Sequence, residues 1–198
     1  MKIVVATGNK DKVKEIKSIF NNETDEVLSM KEAAITTDVE ETGTTFEENA
    51  LLKARAIAGK CDSVVLSDDS GLEVDYLDKQ PGIYSARYMG EDTSYDIKNA
   101  AIIDLLKDVE FEQRTARFVC AVAAVCPDGR EFVTRATMEG YIGYEPKGEN
   151  GFGYDPILYL KEYDCMSAEL SLEAKNEISH RGKAFRAMKA LLEKEGIQ

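Results

Sequence analysis

Positive charge is scarce in this chain. Its 25 lysines and arginines face 37 aspartates and glutamates, for a formal net charge of −12. That balance argues against non-specific binding to nucleic acid or to an anionic membrane. A small anionic substrate is still admissible, but it needs a local basic pocket or a metal to hold it. Histidine occurs once, at His180. The four cysteines form neither a CxxC pair nor a Cys/His zinc pattern. Cys120 and Cys126 fall in one strand-like stretch about 20 Å apart, at roughly 3.3 Å per residue, so they cannot bridge within it. Reduced, packed thiols are expected, which suits a cytosolic protein. Long apolar runs are missing too. The longest, FVCAVAAVC, is too short to span a bilayer. The start, MKIVVATGNK, turns polar too soon for a signal peptide. Repeats and low-complexity linkers are absent. Together these absences predict a cytoplasmic protein with no membrane and no nucleic-acid partner.

What is present suffices for a core. Of 198 residues, 43% are hydrophobic, enough for one compact domain, or for two lobes sharing a core; residues 1–198 are taken as a single domain. Lys2–Thr7 reads as a buried strand, and Lys10–Phe20 as a helix with Val13, Ile16, Ile19 and Phe20 on one face. Val27–Met30 is a candidate second strand. Thr44–Lys60 reads as a helix, with a capping box from Thr44 and Glu47 or from Thr45 and Glu48. Val64–Leu66 is a strand ending at two aspartates and a Ser-Gly turn. Thr93–Leu106 is a helix whose spacing turns Ile97, Ala101, Ile102 and Leu105 inward. Ala116–Cys126 and Arg130–Gly140 flank Pro127-Asp128-Gly129 as a hairpin. Glu145–Pro156 is a glycine-rich loop, and Ser179–Glu195 a closing amphipathic helix. The class is α/β, parallel early and antiparallel late.

Two helix starts carry charge of the wrong sign. A helix N-terminus exposes free N–H groups and partial positive charge. The stretch VVATGNKDK nevertheless puts Lys10 and Lys12 in or near the first turn, after Gly8. A phosphate among them would resolve the conflict, with Thr7 and Asn9 as further donors. Taken singly, the stretch reads first as an ordinary strand-to-helix turn with solvated lysines, and no GxxxxGK[ST] loop exists anywhere. ISHRGKAF repeats the pattern with His180, Arg181 and Lys183. In a chain this acidic, the two cation-rich starts make sense together if one polyanion touches both.

The stretch VVLSDDSGLEV raises the converse problem, since an apolar run stops on Asp68 and Asp69. Side chains alternate along a strand, so the two point to opposite sides. One can face a ligand while the other orients local backbone. Magnesium takes one or two carboxylates together with waters and phosphate oxygens, and Glu40-Glu41 offers a second supplier. Lys53 falls near the apolar stripe of its helix, where it snorkels or pairs with a carboxylate; paired with Asp69 it would be an electrostatic catalyst. NGFGYDP sets two aromatics among glycines, suited to stacking on a base, with Asp155 able to accept from a ring N–H.

Taken together, TGNKDK (7–12), EETGTTFEENALLKA (40–54), SDDSGLEVD (67–75), PGIYSARY (81–88), GFGYDP (151–156) and KNEISHR (175–181) resemble the inosine triphosphate pyrophosphatase family, the non-canonical purine NTP pyrophosphatases. Six motifs in family order are specific where each alone is weak. Asn150 stands where the family usually has glycine, and Ser67 where alanine is common; neither touches a chemical group. The resemblance implies an elongated mixed sheet flanked by helices, two lobes with a central cleft, and a homodimer. It implies Mg²⁺-dependent hydrolysis of ITP, dITP, XTP and dXTP to monophosphate and pyrophosphate. By that carry-over Thr7, Gly8, Asn9, Lys10, Asp11 and Lys12 bind the triphosphate. Glu40 and Asp69 hold the metal, with Glu41 the alternative to Glu40. Asp69 activates water, Lys53 stabilises charge and Ser70 touches substrate. Phe152, Gly153, Tyr154, Asp155, Lys175, His180 and Arg181 hold the base. Two rivals are a pyrophosphatase for another modified nucleotide and a non-catalytic nucleotide binder. A haloacid-type phosphatase is disfavoured, because SDDSG lacks the DxDx[TV] arrangement.

Overall fold

The computed structural model describes residues 1–20, 25–37 and 39–197; the Asp11 side chain also lies outside the described set. Among these residues the chain is α/β, with seven strands in one mixed sheet and five α-helices. The strands are β1 (Lys2–Val5), β2 (Glu26–Ser29), β3 (Val64–Val74), β4 (Thr115–Val125), β5 (Glu131–Ile142), β6 (Leu158–Leu160) and β7 (Cys165–Met166). The helices are α1 (Lys10–Ile19), α2 (Phe46–Ala58), α3 (Tyr95–Leu105), α4 (Leu172–Ile178) and α5 (His180–Lys194). Sheet order is β2-β1-β3-β4-β5-β6-β7. β1 pairs parallel with β2 and β3, while β5–β6 and β6–β7 are antiparallel. The early-parallel, late-antiparallel expectation is met.

Residues 1–69, 120–136 and 180–198 form one compact unit. Its core joins Ile3 and Val5 of β1, Ile16 and Phe20 at α1, Leu66, Val122, and Phe185, Met188 and Leu192 of α5. Residues 70–119 and 137–179 form the second unit. Leu72, Ile102, Leu106, Phe118, Ile142, Ile157 and Leu158 make up its core.

α2 starts as one of the two capping alternatives requires. Thr45 Oγ1 accepts from Glu48 N–H at 3.1 Å, and the Glu48 carboxylate reaches back to the Thr44 N–H at 2.6 Å. Three expectations change. β3 does not turn at Ser-Gly but runs on to Val74 as one strand. Its parallel partner is what stops: β1 pairs with it only as far as Leu66, so the aspartates lie just past that partner's end. Second, α3 is rotated about its axis from the expected face, and of the four residues expected inward Ile102 is buried and Ala101 half-buried. Lys98, Asn99 and Ile102 are buried, whereas Ile97 and Leu105 are more than half exposed. Lys98 Nζ and Asn99 Nδ2 find main-chain acceptors, which offsets part of the cost of burying them. Third, β6, β7 and α4 were not read from the sequence, being too short to show a periodicity.

Arg114 holds the second unit together. It is fully buried, and its Nε, Nη1 and Nη2 donate to the carbonyls of Ile142, Leu106 and Gly143 at 2.7, 2.7 and 2.6 Å. Its guanidinium lies 4.3 Å from the Tyr144 ring centroid. Arg114→Met preserves much of the volume but strands those carbonyls. We expect a loss of about 2–3 kcal/mol in urea unfolding; a shift below about 0.5 kcal/mol would show that water takes over their bonds.

Candidate active site at the end of the β1–β3 pair

Where β1 ends, the backbone of Thr7 to Asn9 turns into α1. The Asn9 Oδ1 accepts from the Lys12 N–H at 3.3 Å, and Thr7 Oγ1 accepts from the Asn9 N–H at 3.2 Å. Asn9 therefore caps the helix. Gly8 has no left-handed φ, and a Cβ there would meet nothing within 4 Å. Neither the turn nor the chain's own packing requires a glycine at that position. Close approach by a ligand gives it a reason. Thr7 is half-buried, and Lys10 is exposed beside it.

The two aspartates of β3 point apart, as alternation demands, and into different company. The Asp68 carboxylate is buried with Lys12 Nζ at 2.8 Å and Arg181 Nε at 3.5 Å. Arg181 in turn donates to Glu15 Oε2 of α1 at 2.6 Å. Burial opposes ionisation of Asp68, but Lys12, Arg181 and Lys53 outweigh it and hold the group well below the ordinary carboxylate range. The Cys120 thiol is also buried near Asp68; desolvation and that charge push it far up, so it stays a neutral thiol. His180, next to Arg181, is buried.

Asp69 faces the other way. Its Oδ2 accepts from Asn49 Nδ2 at 3.1 Å, and its Oδ1 is 3.8 Å from Lys53 Nζ. Lys53 Nζ also donates to Glu41 Oε1 at 2.6 Å. Desolvation raises the Asp69 pKa, and Glu41 adds to that; Lys53, Lys12 and the Asn49 hydrogen bond do not offset it. Burial works against the Lys53 charge, yet Asp69, Asp68 and Glu41 together keep its pKa above the ordinary value. Neighbouring residues of one strand are thus driven in opposite directions, a pattern common where a site separates chemical roles. Glu40 is exposed, whereas Glu41 joins this cluster. Among the described residues, no group of three or more His, Cys, Asp or Glu is placed to hold a metal alone.

In the second unit, Asp155 anchors the glycine-rich loop. Its Oδ1 accepts from Ser167 Oγ at 2.7 Å, and its Oδ2 accepts from the Phe152 N–H at 2.9 Å and from Lys175 Nζ at 2.6 Å. Lys175 Nζ sits 5.3 Å from the Phe152 ring centroid. Asp155 and Lys175 are both buried, and Phe152 is half-buried. The sequence reading offered Asp155 to a base N–H; in the structure both of its oxygens already bond within the chain. A Cβ at Gly151, which has φ +77°, would strike the Asp155 carboxylate, so glycine is required there. Ser70 is half-buried on β3.

A family model matches residues 3–191, and its description is the Ham1 family. The chain belongs to the Ham1 family. It is 47% identical over 192 residues to a protein of Exiguobacterium sibiricum named dITP/XTP pyrophosphatase, covering 97% of each chain. A Bacillus subtilis protein of the same name is 46% identical, with 96% of each chain covered. Among solved structures, the Staphylococcus aureus Ham1 protein superposes with a TM-score of 0.88 at 43% identity, covering 98% of this chain and 100% of that one. The family resemblance drawn from the six motifs and the α/β mixed-sheet class are both confirmed. Three residues of this Ham1 chain's clusters were not singled out from the sequence, whereas the buried, free thiol of Cys120 was expected. Glu15 lies one helical turn from Lys12 and Asn49 one turn from Lys53, so their spacing carried a signal. Ser167 carried none.

Proposed function

We propose that this Ham1 protein hydrolyses ITP, dITP, XTP and dXTP to the monophosphate and pyrophosphate with Mg²⁺, clearing them from the nucleotide pool. It is a nucleoside triphosphate pyrophosphatase, a hydrolase of phosphoric anhydrides. The observation that carries this reading is the Asp69 cluster: a carboxylate of raised pKa held by Asn49 and Lys53, with Glu41 on the same lysine. Those residues fit a hard divalent cation. Their donors are carboxylate oxygens, and magnesium needs only one or two of them beside water and phosphate. Asp69 and a glutamate would hold it; we assign the glutamate to Glu41, which shares Lys53 with Asp69, over the exposed Glu40. When bound, the metal supplies charge stabilisation at the phosphates.

The chain's own groups do the rest. Water attacks the α-phosphorus, its proton passes to an Asp69 oxygen, and the bond to the bridging oxygen breaks to release pyrophosphate. Lys53 favours the charge developing beside Asp69. Thr7, Gly8, Asn9, Lys10, Asp11 and Lys12 bind the triphosphate, with Asn9 and Lys12 most direct, and Ser70 touches substrate. The aromatic loop stacks on the base through Phe152, with Gly153, Tyr154, Lys175, His180 and Arg181 as its other contacts. We give Asp155 the task of holding that loop in shape. The protein acts in the cytoplasm as a homodimer. Among the described residues, no helix is long and apolar enough to cross a membrane, and all four cysteines are free.

The test is pyrophosphate release with Mg²⁺, comparing ITP and XTP with ATP and GTP. Discrimination of 10²-fold or more against ATP is expected, because a site built around a keto acceptor leaves groups unpaired against a 6-amino donor. Equal rates would remove the base-reading half of the proposal. Orthophosphate as product would move the cut to another bond.

A further inference from the structure

The loop that carries Phe152 to Asp155 is gripped on one edge by Asp155, Ser167 and Lys175. A second grip comes from α3, and no motif pointed to it. The Asn99 Nδ2 donates to the Gly153 carbonyl at 3.1 Å, from 54 residues away. One turn back on the same face, the Tyr95 ring packs edge-on against the Tyr154 ring, with centroids 5.2 Å apart and planes at 89°. A Cβ at Gly153 would come within 3.6 Å of that Tyr95 ring. Between them Lys98 Nζ lies 4.9 Å from the Tyr95 centroid and donates to the Ala86 carbonyl at 2.7 Å. Tyr154 Oη donates to the Ser85 carbonyl at 2.8 Å. Lys98, Asn99, Ser85 and Tyr154 are each at least 95% buried. Burying a lysine and an asparagine on a helix face that could hold two aliphatic side chains costs desolvation. It is understandable if their bonds set a geometry that apolar packing cannot.

That geometry is the plane of the Gly153–Tyr154 peptide. The bond is trans, so its carbonyl and its N–H point in opposite directions. Gly153 sits at φ +70°, where glycine alone adopts the conformation readily. With Asp155 occupying the Phe152 N–H and Asn99 drawing the Gly153 carbonyl toward α3, the Tyr154 N–H is turned to the opposite edge of the loop. We propose that Asn99 is a positioning residue for base selection: by holding the Gly153 carbonyl it aims the Tyr154 N–H as a donor that a purine 6-keto oxygen satisfies and a 6-amino group does not. Released from Asn99, a glycine peptide rotates at little cost, and a flipped peptide would present a carbonyl instead, an acceptor suited to adenine. Asn99 also keeps a buried Oδ1 that has no hydrogen-bond partner among the described residues. An aspartate in its place would put charge in that setting and repel the Gly153 carbonyl.

This inference rests on the loop being the base-binding element, and the experiment separates the two. Wild type, Asn99→Leu, Asn99→Ser and Asn99→Asp are compared for kcat/KM on ITP and ATP, and for IMP and AMP binding by calorimetry without metal. Thermal melts identify variants that fold. The expected result is a fall of about tenfold or more in the ITP-to-ATP ratio, from a higher KM for ITP, with kcat on ITP within a few-fold of wild type. IMP binding should weaken in parallel while AMP binding does not. A purely structural role would lower activity on both nucleotides together and leave the ratio unchanged, which overturns the inference. If Asn99→Leu fails to fold, Asn99→Ser carries the test. A wild type that does not prefer ITP overturns the base-binding reading and this inference with it. A wild type that prefers ITP, with variants that prefer it equally, overturns this inference alone.

Discussion

Asp69→Asn is expected to cut pyrophosphate release from ITP by about 10³-fold or more while leaving the protein at least as stable as wild type. The two halves have one origin. Burial and the nearby Glu41 make the ionised Asp69 carboxylate unfavourable in the folded state, which is what its raised pKa means. An amide of the same shape removes that charge and keeps the position, while Lys53 retains its 2.6 Å bond to Glu41. The unfolded chain gains nothing comparable, so the fold should be no weaker. The amide, however, cannot accept a proton from attacking water, and general-base removal alone is worth 10²–10⁴-fold. On the proposed assignment of Asp69 to the metal, loss of a charged ligand would add to it. Steady-state pyrophosphate release and a thermal melt on the same preparation check both halves. Activity within tenfold of wild type would take Asp69 out of the chemistry. A strong loss of stability would mean that its charge supports the fold, contrary to its environment.

Asp68→Ala, one residue away, is expected to do the reverse and unfold the first unit more easily, by about 3–5 kcal/mol. The fully buried Asp68 carboxylate is what makes burial of Arg181 tolerable, and it also pairs with the half-buried Lys12. Without it, Glu15 is left as the acid bonded to Arg181, at 2.6 Å, and two cations, Arg181 and the half-buried Lys12, lose the carboxylate they share. For a chain of this length the thermal midpoint should fall by roughly 10 °C. The pH dependence follows from the direction of the shift. The folded pKa of Asp68 lies below its unfolded value, so its stabilising contribution is complete above the unfolded pKa of about 4. It is lost as pH falls through the lowered folded value. Wild type should therefore lose stability toward acid more steeply than Asp68→Ala, in urea titrations at several pH values. A change below about 1 kcal/mol at neutral pH would mean that Arg181 finds other partners and that Asp68 is not the hub.

The amino-acid sequence by itself determined the longer elements and the family. Apolar spacing located α1, α2 and the β4–β5 hairpin to within a few residues, because each follows from local periodicity and local caps such as Thr45 with Glu48. Six ordered motifs sufficed for the Ham1 assignment, since motif order survives any ignorance of geometry. Strand alternation also required Asp68 and Asp69 to face apart. Which of them meets Lys12 and Arg181, and which meets Asn49 and Lys53, only the tertiary structure decided. It likewise decided that Glu41 sits on Lys53 and Glu40 does not, that both Asp155 oxygens are taken, and that α3 buries Lys98 and Asn99 instead of Ile97 and Leu105. These outcomes share one physical cause. A buried charge or amide is tolerable only against a specific partner, and the partners here lie far off in the chain, 20 residues for Asn49 and Asp69, 54 for Asn99 and Gly153, and 166 for Arg181 and Glu15. Periodicity reports which face of an element is apolar; it carries no information about which distant group will neutralise a polar one.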